Sequence, residues 1–384
     1  MKVLFICMFP VEANNSAMMR NLALVNGLLS NKCEVDFVTI TASENVQAVN
    51  KNEKLDGFNI IKLKGNDLYN TVTSVKNGGK SVFKSLAISI LRKVYHKVTI
   101  YDHTLKIAQQ IDINRLNQKE YDLVISSSDP KTSHIAAINL MNQGLKYKKW
   151  IQYWGDPMAM DITNRSIYPN LYLRSIERKL LKDADQIIYV SPCTYEAQKQ
   201  TFPELAEKMS FVPIPYREQR IYPETKNAKF LIGYFGAYMK ISRNLEPLYT
   251  TCDHLRQNID LIIMGESDCE FAEKENITVY PRGNISEYEA KADLLVCVLN
   301  KVGTQIPGKI YHYAATNKPI LIILDGENKE TIRTYLEPYN RYIFCENNKE
   351  DIERIIKEII EHPVQYNPCK AFDSRMIAER ILEL

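Results

Sequence analysis

A chain of 384 residues, 45% apolar and 25% charged, has the length of two ordinary domains and the composition of a folded protein with full cores. Its formal net charge of +3 is too small to argue for nucleic acid as a partner. Its eight cysteines form no C-x-x-C pair and several sit in apolar runs, so they read as buried reduced thiols; with the six histidines they give no metal-ligand spacing.

The opening Met1-Lys2-Val3-Leu4-Phe5-Ile6-Cys7 is apolar for only a few residues before Pro10, Glu12 and Asn14 interrupt it, so it reads as a buried strand rather than a leader. No apolar run approaches the length of a membrane span, which sets the expected location as cytoplasmic, at most peripheral on the inner face of the plasma membrane. From there a short β-branched run, a loop and a helical stretch recur. Strands are expected at Val3–Cys7, Glu34–Ile40, Asp122–Ser126, Trp150–Tyr153 and Gln186–Ser191, with helices at Ala17–Ser30, Thr132–Asn142 and Ile176–Lys182. The polar, proline-containing stretch from Pro213 to Lys229 reads as an inter-domain connector. The alternation then restarts, with strands at Phe230–Phe235, Asp260–Met264, Ile277–Tyr280, Leu294–Leu299, Pro319–Leu324 and Tyr342–Cys345, and helices at Leu245–Arg256 and Glu350–Ile360. Strands alternating with helices predict parallel sheets covered on both faces, here two doubly wound, Rossmann-like α/β domains in tandem with a cleft along the carboxyl ends of their strands.

Between Asp67 and Asp102 there is no acidic residue, while Lys76, Lys80, Lys84, Arg92, Lys93, His96 and Lys97 stand among apolar residues at helical spacing. On a helix from about Ser81, that pattern fits an interfacial helix on anionic lipid, with Lys84, Arg92, Lys93 and Lys97 facing the membrane. It fits equally a stripe packed on the N-terminal sheet with its lysines solvated.

The sharpest local signal is Gln305-Ile306-Pro307-Gly308-Lys309-Ile310-Tyr311-His312-Tyr313, at the junction of a strand with a helix. Pro307-Gly308 lets the backbone turn, and helix-start N–H groups with Lys309 make a cradle for a diphosphate; a plain loop-to-helix turn with a solvated lysine is the alternative.

With its continuation to Lys318-Pro319, this segment resembles the donor-site signature of GT-B glycosyltransferases, particularly the retaining family-4 group of bacterial capsule, O-antigen and exopolysaccharide enzymes. Ser126-Ser127-Ser128-Asp129-Pro130, Trp154-Gly155-Asp156-Pro157, Asp183-Ala184-Asp185-Gln186-Ile187-Ile188-Tyr189-Val190-Ser191 and Gly233-Tyr234-Phe235-Gly236 with Arg243-Asn244 are similar to further elements of that family. The resemblance implies a GT-B architecture with acceptor bound by residues 1–212, nucleotide-sugar by 213–365, and a tail from 366 to 384 that packs back on the first domain. It implies a hexosyltransferase that moves a sugar from a nucleotide-diphosphate sugar, a UDP-sugar first, to a glycan on a lipid carrier, with retention of configuration and without a metal or other cofactor.

By the same resemblance, Lys240, Arg243 and Lys309 stabilise the leaving diphosphate and Asp156 orients the acceptor hydroxyl. Gly236, Arg282, Asn284, Thr304, Gln305, Gly308 and His312 line the donor, and Ser16, Ser128 and His134 the acceptor. Thr304 and His312 stand where relatives carry two glutamates, and Asn14-Asn15-Ser16 where they carry glycines. The family's mechanism needs no protein nucleophile, so the absence of a Ser-His-Asp set or an obvious carboxylate pair is in keeping with it. Two other readings stay open: a GT-B-shaped sugar-nucleotide epimerase, and a catalytically silent protein that binds nucleotide-sugar or a partner.

Overall fold

A computed structural model of the chain describes residues 1–13, 15–42, 56–66, 69, 97–162, 164, 166–224 and 226–384. The expectations for Lys84, Arg92 and Lys93, and for the helix from about Ser81, lie outside the described residues. The chain divides into two compact units, Met1–Pro213 with Ile377–Leu384, and Ile214–Met376.

The first unit holds a seven-stranded sheet of β1 (Lys2–Ile6), β2 (Glu34–Ile40), β3 (Asn59–Leu63), β4 (Glu120–Ser127), β5 (Lys146–Trp154), β6 (Gln186–Tyr189) and β7 (Met209–Phe211), in the order β3-β2-β1-β4-β5-β6-β7. Every pairing is parallel. The central strands are buried along most of their length, as in Val3–Ile6 and Leu123–Ser127, which explains their near-continuous apolar runs. Helices α1 (Ser16–Ser30), α2 (Leu105–Gln109), α3 (Thr132–Asn142), α4 (Asn170–Leu181) and α5 (Pro192–Thr201) accompany it. Asn15 caps α1 by accepting from Met18 N at 2.8 Å, so Asn15 and Ser16, two of the residues in place of the family glycines, begin the helix. The carboxylate of Asp185 accepts from Trp150 N at 2.7 Å at the edge of β5.

The second unit repeats the plan with six parallel strands, β8 (Phe230–Phe235), β9 (Ile259–Met264), β10 (Ile277–Tyr280), β11 (Leu294–Val298), β12 (Ile320–Leu324) and β13 (Ile343–Glu346), ordered β10-β9-β8-β11-β12-β13. Its helices are α6 (Glu246–His254), α7 (Ser286–Lys291), α8 (Lys309–Ala314), α9 (Lys329–Leu336) and α10 (Lys349–Glu361), and the last helix of the chain, α11 (Ser374–Glu383), begins in it. In α10 the buried Ile352, Ile355, Ile356 and Ile359 recur at helical spacing, and Asn348 caps it on Asp351 N at 2.9 Å. From Ile377 onward α11 counts with the first unit, whereas residues 366–376, expected to pack there too, stay with the second.

The stretch from Ile214 to Lys229 is more than a connector. Tyr216 bridges to Asp373 and Arg220 to Thr316 along the backbone, and Tyr222 exchanges hydrogen bonds with Asn317 at 2.9 Å, all within the second unit.

Candidate functional site

In each sheet the chain works outward from one central strand and then returns to that strand's other side, between β1 and β4 and between β8 and β11. Ligands of doubly wound sheets bind beyond the carboxyl ends of the strands at such reversals. The sequence-predicted residues fall into two groups accordingly, one in each unit.

In the first unit, Ser127 of β4 pairs with Tyr153 of β5, so the segments that follow, Ser128-Asp129 and Gly155-Asp156, leave adjacent strands side by side. The two carboxyl groups are close enough for each to shift the other's titration. Lys131 donates to Asp129 Oδ1 at 2.5 Å and lies 3.3 Å from Asp161 Oδ2. Arg20, only 7% exposed, reaches in from α1, donates to the Ser128 carbonyl and stacks 5.3 Å from the Tyr153 ring. A Cβ on Gly155 would come within 2.2 Å of Arg20 Nη1, so this guanidinium fits because position 155 has no side chain. Glu177 of α4, fully buried, accepts from Met158 N and Ala159 N at 2.9 Å each and fixes the loop that carries Asp156.

Burial, then the charge of Asp129, push the Asp156 carboxyl up to about 7 against the pull of Lys131. For Asp129 burial works upward as well, but Lys131, Arg20 and Asp156 outweigh it and hold the group below the usual carboxylate range. The pair therefore shares one proton near neutrality, held on the Asp156 side. No motif in the sequence announces this pair.

Of the residues expected at the acceptor, Ser16 is exposed in the first turn of α1. Ser128 is fully buried, with its Oγ accepting from Gly155 N at 3.3 Å, so it shapes the site through its backbone. His134 is corrected: it is fully buried, 2.8 Å from Ser126 Oγ and stacked 4.4 Å from the Trp154 ring, and burial pushes its pKa down to about 3. It belongs to the core.

In the second unit, the loop after β11 delivers Lys309 and His312 on α8, one turn apart and hence on one helix face. Arg243 is pinned: its Nη1 donates to the Ala237 carbonyl at 2.7 Å and its Nη2 to Asn300 Oδ1 at 2.7 Å. Asn300 in turn donates to the Gln305 carbonyl at 3.0 Å, tying the β8 and β11 ends together. Both polar atoms of the Gln305 side chain are out of water and make no hydrogen bond among the described residues, which leaves a donor and an acceptor for a ligand. Gly236 donates to Met264 O at 3.0 Å, and a Cβ there would lie 3.9 Å from Arg243 Nη1. Thr304 and Gly308 are half-buried, and a Cβ on Gly308 would meet nothing closer than Ile214 Cδ1 at 3.8 Å, so close approach is not what requires that glycine.

The Lys240 side chain is exposed, and among the described residues its backbone N–H is what is engaged, donating to Asp268 Oδ1 at 2.9 Å. Arg282 is exposed 3.6 Å from Glu266, and Asn284 accepts from Ser286 N at 3.0 Å ahead of α7.

Around Lys309 and His312 the structure adds three residues with no motif in the sequence: Arg220, Tyr222 and Glu289. The carboxylate of Glu289 is fully buried, 3.2 Å from Arg220 Nη1, and accepts from the Tyr222 hydroxyl at 2.8 Å. Burial alone would raise its pKa, but the bond to His312 and the charges of Arg220 and Lys309 hold it down at about 2. Burial, Lys309 and Arg220 push His312 down to about 4, so the ring is neutral at pH 7. Burial lowers Lys309 to about 8. Its ammonium has no carboxylate within ion-pair distance among the described residues and lies 5.6 Å from the Tyr313 ring centroid. Among the described residues no group of acidic, histidine or cysteine side chains could hold a metal ion.

No protein-family model matches the sequence, and no curated protein does. Solved structures do match along the whole chain. Sucrose-phosphate synthase (tll1590) from Thermosynechococcus elongatus superimposes with a TM-score of 0.61 at 14% identity, over 100% of this chain and 97% of that one. A glycosyltransferase from Rickettsia africae ESF-5 gives 0.58 at 12% identity over 100% and 97%, and a UDP-N-acetylglucosamine 2-epimerase 0.52 at 10% over 100% and 94%. The two α/β units, with parallel sheets of seven and six strands, have the GT-B fold.

Proposed function

We propose that the chain is a glycosyltransferase that moves a sugar, with retention, from a nucleotide-diphosphate sugar held by the second unit to a glycan acceptor held by the first. UDP-sugar is the donor class we favour and a lipid-linked glycan of bacterial surface polysaccharide synthesis the acceptor, with no metal required. The observation that carries this reading is Lys309, a half-buried ammonium at the β8/β11 reversal with no carboxylate in ion-pair range among the described residues. Such a cation is preorganised for charge that grows on a departing diphosphate. The C1–O bond to that diphosphate breaks, the acceptor oxygen bonds to C1, and a phosphate oxygen takes the acceptor proton. Asp156, beside Asp129, orients the acceptor hydroxyl.

The test is a thermal-shift and calorimetric screen of UDP, GDP, ADP and CDP without metal. One nucleotide should bind, and Lys309→Ala should weaken it by about 10–100-fold, as loss of a charge-assisted contact does. Equal binding by the variant would remove the proposed cradle.

Attachment to an anionic membrane is part of the proposal. No helix among the described residues is long and apolar enough to cross a membrane. Val98, Ile162, Ile167, Leu171 and Tyr172 are nevertheless exposed in the first unit, and Ile167 N donates to the carbonyl of the exposed Lys97 at 3.0 Å. Exposed apolar side chains with a cation beside them suit an anionic leaflet. Co-sedimentation with phosphatidylserine-containing vesicles, reduced by Leu171→Ser, tests it.

A second reading, sugar-nucleotide epimerisation, is favoured by one observation, the Asp129–Asp156 pair, since epimerases move protons with such groups. Incubating UDP-N-acetylglucosamine without acceptor separates the two: conversion to its epimer supports this reading, and an unchanged sugar excludes it for that substrate.

A further inference from the structure

Arg341, just ahead of β13, is only 2% exposed, yet it forms no ion pair among the described residues. Its Nη2 donates to the Thr316 and Lys318 carbonyls at 2.7 and 2.8 Å, ahead of β12. Nε and Nη1, which carry the rest of the guanidinium's hydrogens, are shut off from water and make no hydrogen bond among the described residues. The ionisable groups that bear on Arg341 are the Tyr342 and Tyr366 hydroxyls and the Cys369 thiol. Burial pushes all of these up, so none is negative at pH 7. A buried cation without a counter-charge is costly, and the Tyr366 ring, its centroid 5.0 Å from Arg341 Cζ, offsets only part of that cost.

Arg341 and Tyr366 both line a cavity of about 430 Å³ between residues 339–341 and 364–370, a size within the range of small-molecule sites. Lys370 adds an exposed second cation, Asn340, Gln365 and Asn367 add amides, and no acidic side chain among the described residues lines it. The cavity stands at the amino ends of β12 and β13, whereas Lys309 opens α8 beyond the carboxyl end of β11. It is therefore separate from the diphosphate cradle.

We propose that this cavity is a second anion site of the second unit, in which Arg341 and Lys370 take a phosphate or carboxylate group of a small molecule. The oxyanion supplies both the missing counter-charge and acceptors for Nε and Nη1. The half-buried Tyr366 ring covers the guanidinium, so the anion reaches those nitrogens as the ring turns aside. The inference is independent of the donor reading.

Phosphate also suits the Lys309 cradle, so the experiment starts from Lys309→Ala and titrates inorganic phosphate and acetate by calorimetry. One of the two anions should bind with a Kd of about 1 mM. Adding Arg341→Met should weaken it at least about tenfold, and adding Lys370→Ala about threefold. In an otherwise wild-type chain, Lys370→Ala should leave UDP affinity unchanged. Where Arg341→Met does not fold, side-chain nitrogen NMR of arginine-labelled Lys309→Ala decides. The Nε–H signal displaced by Tyr366→Leu is that of Arg341, and the bound anion should shift it, at higher concentration once Lys370→Ala is added. Binding of neither anion up to about 10 mM overturns the inference. So does binding that Arg341→Met and Lys370→Ala leave as strong as before, which would mark an adventitious ion only, and so does an Arg341 signal that stays in place while the anion binds.

Discussion

Lys309 titrates within reach of ordinary buffers because burial has brought it down to about 8. Below that pH the ammonium is already formed and nucleotide affinity should be level. Above it, binding must first protonate the group, so affinity should fall by up to about tenfold per pH unit. Calorimetry across pH 6.5–9.5, in buffers of different ionisation heat, would show proton uptake growing through this range. Lys309→Arg, charged throughout, should abolish the slope; a level profile in wild type would show that Lys309 does not meet the phosphates. Asp156 makes the opposite case on the acid side. With its carboxyl up at about 7, the form able to accept from an acceptor hydroxyl is populated only as pH rises through that value. Turnover should climb accordingly, Asp156→Asn should cost about 100-fold, and Asp129→Asn should move the acid limb to lower pH by removing a like charge. An unmoved limb in Asp129→Asn would show that the pair does not govern the step.

At the scale of elements, the turn after β8 is fitted against the end of β9. A Cβ on Gly265 would stand 2.0 Å from the Gly236 carbonyl oxygen, backbone that cannot rotate away as a side chain can. Gly265→Ala should therefore cost about 2–3 kcal/mol and loosen Ala237, whose carbonyl holds Arg243, so denaturant melts and nucleotide affinity should both suffer. Gly283→Ala is the control, since its Cβ would meet Met264 Sδ at an ordinary 3.7 Å. The sheets themselves were legible because buried parallel strands read as unbroken apolar runs. The short edge strands β3 and β7 lack that pattern: β3 buries only Leu63 and β7 only Met209. Lys309 and His312 were legible for a similar reason, lying six residues or fewer from the turn that announces them. Glu289 was not. It stands in Ser286-Glu287-Tyr288-Glu289, where Glu287 is 72% exposed and Glu289 fully buried, and nothing local separates the two. Its partner Arg220 lies 92 residues from His312, in a stretch whose prolines read as a linker. Conversely, His134 carries a motif-like position and belongs to the core, because α3 turns it under Trp154.

For the molecule as a whole, the division into units has a measurable consequence at the carboxyl terminus. Ile377, Ala378 and Ile381 of α11 are at most 1% exposed and belong to the first unit, whereas the residues proposed to hold the donor lie wholly in the second. Removing Ile377–Leu384 strips the first unit of two buried isoleucines, a loss on the order of 5 kcal/mol at the usual 1.5–3 kcal/mol per large apolar side chain. That is comparable with the whole stability of many domains. The truncated chain should therefore lose the cooperative melting of its first unit and with it transfer activity, yet bind nucleotide within about threefold of the full chain, as expected for a site wholly held by an intact unit. Ile381→Ala gives the graded version, with about 2–5 kcal/mol lost from the first transition and none from the second. Calorimetric scanning with and without UDP reads both at once. UDP should raise only the transition that survives truncation. If it instead raises the one that truncation removes, the nucleotide belongs to the first unit and the assignment of donor and acceptor between the units must be reversed.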